Sequence, residues 1–199
     1  MHATRFARLV ILALMCCPVL SFAQMAPPPP AKSAGDALNA DLNIVEHEFT
    51  SAAEAMPDDK YSFAPTSGEF KGVRTFAEQV KHVASANYYF GSGVLGEKPP
   101  AEAGGENGPD NLKSKAEIVK FLNDSFAYLR KALASVNASN QLDQIDSPFG
   151  MKVARLSLAS FALAHPMDHY GQMVEYLRMN GIVPPASRPQ PPSSEQKSK

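Results

Sequence analysis

Four stretches of this chain carry apolar residues at helical spacing, and each is closed by proline, glycine or a polar turn. Leu38, Leu42, Val45, Phe49, Ala52, Ala53 and Met56 predict a helix from about Asp36 to Met56, stopped by Pro57. A second helix is expected from about Val73 to Leu95, with Val73, Phe76, Ala77, Val80, Ala84 and Tyr88 on its main stripe and Gly91, Gly93 and Gly96 loosening its end. Gly96 to Asn111 is too dense in Pro and Gly to continue a helix, so it reads as a long connection. Ser114 and Glu117 have the spacing of a capping box before Ile118, Leu122, Ser125, Leu129, Ala132, Leu133 and Val136. After a polar turn at Asn137 to Asp146, the fourth helix is predicted from about Pro148 to Asn180, closed by Gly181, Pro184 and Pro185. No window alternates with period two, so no strand is predicted. The fold class expected is all-α, because four amphipathic helices bury their stripes most simply as a four-helix bundle.

The two ends read differently. Residues 1–23 have the features of a signal peptide: Arg5 and Arg8, an apolar run from Leu9 to Leu20, and small residues at Ser21 and Ala23 before the expected cut. That run is too short for a stable membrane span, so a secreted or periplasmic location is expected. Both cysteines, Cys16 and Cys17, leave with it, and the mature chain has no thiol for catalysis, disulfides or metal. Losing Arg5 and Arg8 leaves 17 basic against 20 acidic residues with no basic run, so nucleic acid is not an expected partner. Residues 24–35 are expected to be a disordered linker, 36–186 the bundle domain, and 187–199 a disordered tail, since Pro, Ser and Lys there bury almost nothing.

Four histidines remain in the mature chain. His165 and His169 are four apart, which puts both imidazoles on one side of a helix, one turn apart, within reach of one metal ion. At about 100° per residue they project with Met151, Ala154, Leu158, Ala162 and Tyr176, the apolar face, together with Gln172. Two inward imidazoles need partners for their nitrogens, and a metal answers that need as directly as carbonyls or water would. Gln172 is a candidate to orient an imidazole or to bond a metal-bound water. His47, between Glu46 and Glu48, looks solvated; the flank of His82 carries Ala86, Tyr89 and Phe90. Periodicity alone leaves the third ligand open between them. Asp168, Glu175 and Tyr170 lie off the face of the histidine pair.

Val80-Lys-His82-Val83-Ala84, His165-x-x-x-His169-x-Gly171-Gln172 and Leu177-Arg178-x-x-Gly181-Ile-Val-Pro184-Pro185 together resemble the DinB/YfiT-like superfamily across residues 36–186. The resemblance implies a DinB-like four-helix bundle holding a divalent metal through His82, His165 and His169, and it leaves His47 out. Pro166, between two of these ligands, and the polar Gln79, beside His82, are the departures from the pattern. Imidazole suits Zn, Ni, Fe and Cu alike, so a divalent ion such as Zn, Ni or Fe is expected rather than one element. The function expected is an exported metal-dependent enzyme of hydrolase or transferase type acting on a small molecule. The alternative is a non-catalytic module that binds metal or a small ligand around a structural ion, and a homodimer is compatible with either.

Overall fold

The computed structural model describes residues 30–189, and within them lie four long helices: α1 (Ala34–Ala55), α2 (Phe76–Leu95), α3 (Lys115–Ala134) and α4 (Arg155–Met179). Each of α1 and α2 packs against both α3 and α4, which makes a four-helix bundle with α1 and α2 on one diagonal. The expected stripes meet at its centre. Leu42, Phe49, Phe76, Val80, Leu122, Phe126 and Leu129 are fully withdrawn from water, and Leu158 nearly so. Phe49 and Phe126 meet edge to face across α1 and α3, with ring centroids 6.3 Å apart.

Capping sets the helix starts. Thr75 and Glu78 form a reciprocal capping box, so α2 begins at Phe76, and Val73, expected on its stripe, lies outside the helix with much of its surface exposed. Ser114 and Glu117 form the second box, as their spacing predicts. Ser33 accepts from the Asp36 N–H, which starts α1 at Ala34, inside the stretch expected to be linker. Gly35 is buried there, and its N–H donates to the Val136 carbonyl at 2.9 Å. A Cβ at Gly35 would lie 2.7 Å from the Leu133 carbonyl oxygen, so only glycine lets the first turn of α1 sit this close to the end of α3.

Gly91 and Gly93 do not loosen the end of α2; both are helical, and the turn that ends it is Gly96, with φ of 75°. Nor does the fourth helix start near Pro148. Two short strands precede it, β1 (Gln144–Asp146) and β2 (Lys152–Ala154), paired antiparallel with Ile145 opposite Val153. Three residues per strand are too few to show alternation, which is why the polar turn and helix start expected there are replaced by a hairpin. Met151 and Ala154 therefore leave the α4 stripe, and Met151 is largely exposed. Pro166 lies inside an unbroken α4.

Past α4, a short 3-10 turn, Pro185–Ser187, folds back, and Arg188 Nε donates to the Val183 carbonyl. The expected signal segment, the linker up to residue 29 and the tail from residue 190 lie outside the described residues. No described helix is long and apolar enough to cross a membrane.

Candidate metal centre

His82 comes from α2, and His165 and His169 from successive turns of the facing α4. Each offers one ring nitrogen, and the three atoms lie within 4.8 Å of one another, so the group can hold a metal ion. Ring centroids are 5.1 Å apart for His82 and His165, 4.7 Å for His82 and His169, and 4.6 Å for His165 and His169. His47 is exposed on α1 and takes no part. Among the described residues, no fourth His, Cys, Asp or Glu joins the group.

Two of the rings are fixed by donating Nδ1–H. His82 donates to the Glu106 carbonyl at 2.6 Å, and His169 donates to Gln79 Oε1 at 2.7 Å. In both, the lone pair is thereby left on Nε2, the tautomer a metal ligand needs. His82 Nε2 lies 3.2 Å from His165 Nε2. Nitrogens about 2.0 to 2.1 Å from a tetrahedral ion stand about 3.3 to 3.4 Å apart, so the pair has the spacing of two ligands on one ion. His165 Nδ1 is buried without a hydrogen-bond partner among the described residues.

Gln79, one of the two departures from the family pattern, links the triad to Gln172. It is almost fully buried, and while its Oε1 accepts from His169, its Nε2 donates to Gln172 Oε1 at 2.8 Å. Gln172 Nε2 in turn donates to Asp168 Oδ2 at 3.3 Å. Gln172, expected to touch an imidazole or a bound water, is exposed and acts one residue removed, through Gln79. Tyr170 donates to Glu48 across to α1, away from the triad.

The long connection is strapped along α2. Ser85 Oγ donates to the Ala103 carbonyl, Tyr89 to that of Gly104, and Lys81 Nζ to that of Pro109, with His82 on Glu106 between them. Arg74 reinforces the strap, bonding Glu106 at 2.6 Å and Asn107 Oδ1 at 2.8 Å. Spacing within the sequence gives no sign of these contacts, because their acceptors are backbone carbonyls of a loop.

Burial keeps the triad neutral. Desolvation, then the neighbouring imidazoles, pushes His165 down to about 3; desolvation, His82 and Arg74 push His169 down to about 4. His82 is lowered too, chiefly by desolvation, against the opposing effect of its bond to Glu106. Three neutral imidazoles suit a cation and leave it its full charge. Beside them opens a cavity of about 460 Å³, lined by His82 and His165 together with aromatic side chains of α2, α4 and the hairpin.

The family model described as the DinB superfamily matches residues 41–173. Two solved structures share the fold. A DinB-like protein from Bacillus cereus aligns with a TM-score of 0.62 at 18% identity over 75% of this chain and 95% of its own. A DinB-like protein from Bacillus subtilis, YjoA, aligns with a TM-score of 0.57 at 19% identity over 74% and 93%. Among curated proteins none matches significantly.

Proposed function

The chain belongs to the DinB superfamily, and from that premise we propose that it is an exported metal-dependent enzyme, of hydrolase or transferase type, whose divalent ion is held by His82, His165 and His169. The observation that carries the reading is that His82 and His165 line an open cavity, with His169 one helical turn from His165, and that among the described residues no fourth His, Cys, Asp or Glu joins them. Structural metal sites are closed by protein, whereas catalytic ones keep a position for water or substrate. A divalent ion there supplies Lewis acidity and an acidified water. The protein's own contribution is positional: Glu106 and Gln79 hold the Nδ1 protons of His82 and His169, which leaves the lone pair on both Nε2 atoms and the rings fixed.

The test begins with metal analysis of protein purified without a His tag. One divalent ion per chain is expected, retained in His47→Ala and greatly reduced in His82→Ala, His165→Ala and His169→Ala. A His82→Ala protein at full stoichiometry would overturn the ligand assignment. Activity follows from a screen of hydrolase and transferase substrates with and without chelator. A chelator-sensitive turnover restored by added metal is expected. A loaded protein whose ion exchanges no water ligand moves the reading to a non-catalytic module with a structural ion.

A further inference from the structure

The walls of the cavity beside the triad restrict what can enter it. Phe90 meets Phe161 edge to face at 5.3 Å and lies 5.9 Å from Phe149, while Phe149 and Phe161 cross at 90° and 5.3 Å. Phe90 and Phe161 also reach the His165 ring, at 5.2 and 6.1 Å. A continuous aromatic surface thus runs from an imidazole of the triad out to solvent. Its outer rings remain open, Phe149 at 54% and Phe161 at 42% exposed, although apolar rings clustered in water are costly unless something covers them. Phe149 is held there by the hairpin turn, where Ser147 N–H and Oγ both donate to the Met151 carbonyl.

Apart from the histidines, the polar side chains of the wall are already engaged. Ser85 and Tyr89 donate to the strap carbonyls, and Glu106, the one charged side chain among the described residues that line the cavity, is paired with Arg74. Among the described residues, no cationic side chain lines it. A carboxylate or phosphate on the part of a ligand that lies away from the ion would find no cationic side chain on the described walls, so there it would be desolvated and uncompensated.

We infer that the cavity takes a substrate with an uncharged aromatic body, which lies against Phe90, Phe149 and Phe161 and presents its reacting polar group to the triad. This rests on the metal reading above. It selects against ligands whose body carries a carboxylate.

Hydroxamates with one head group and different bodies test it by calorimetry on zinc-loaded protein. Benzohydroxamate is expected to bind about tenfold more tightly than acetohydroxamate. The difference should collapse in Phe149→Ala and Phe161→Ala, whose zinc content and far-UV spectrum stay those of the parent because both rings are surface-exposed. The monohydroxamate of succinate, with its free carboxylate, should bind no better than acetohydroxamate. Equal binding of the benzoyl and acetyl compounds, tighter binding of the succinyl one, or a difference that survives both substitutions overturns the inference. If zinc or the hydroxamates fail to bind, the metal reading fails separately. The aromatic surface is then read with 2-naphthol on metal-free protein, by fluorescence anisotropy in a chain without tryptophan. Binding weakened by Phe149→Ala sustains the inference, and no binding overturns it.

Discussion

Gln79 is a neutral amide almost wholly out of water, with both its functions used, one toward His169 and one toward Gln172. Gln79→Leu keeps the volume and removes the acceptor, so it should lower metal affinity by about 10- to 100-fold, measured by competition with a chelating indicator. Gln172→Ala, at the exposed end of the same chain of bonds, should cost less. The triad itself predicts a pH dependence for the metal-free protein. Unfolded histidines take up protons below about 6.5, whereas folded His165 and His169 resist until about 3 and 4. Their contribution is therefore fully present above about 6.5 and is lost progressively as pH falls toward the folded values. In EDTA, the urea midpoint should fall between pH 7.5 and 5. It should fall less in a His165→Asn, His169→Asn double variant.

Helices and loops divide the work between stability and site-building. Leu129 is fully buried at the contact of α3 with its neighbours, and Leu129→Ala should cost about 2 to 5 kcal/mol in urea denaturation. Ser114→Ala removes a cap and should cost about 1 kcal/mol by the same measure. Gly35→Ala should be destabilising by about 1 to 3 kcal/mol despite alanine's better helix propensity, because its Cβ would press on backbone oxygens that cannot swing away. Hairpin and strap add little to the core, yet Phe149 and the Glu106 carbonyl, both needed around the cavity, come from them.

At the scale of the molecule, the core and the candidate metal site are separable. The fully buried residues come from all four helices, while the triad sits between α2 and α4 toward a cavity. Removing metal should leave the helical spectrum intact, and zinc at 100 times its Kd should raise stability by about 2.7 kcal/mol, read as an upward shift in Tm. The proposed export is tested on the whole chain as well: intact mass and N-terminal sequencing of secreted material should give a mature protein starting at Gln24, and one starting at Met1 would refute it. The bundle was legible in the residues because periodicity is local: Leu42, Phe49, Leu122 and Leu129 repeat at helical spacing whatever surrounds them, and Ser114 with Glu117 marks a helix start within four residues. The pairing of His165 with His169 is local in the same way. The third ligand was not, since the choice between His47 and His82 depends on which helix faces α4 with which side; family resemblance pointed to His82, and the packing of α2 brings it to the pair. Only tertiary structure could turn Gln79 into the partner of His169, aim a loop carbonyl at His82 and raise Phe149 over the cavity, because each joins groups at least 24 residues apart in the chain whose meeting no local pattern encodes.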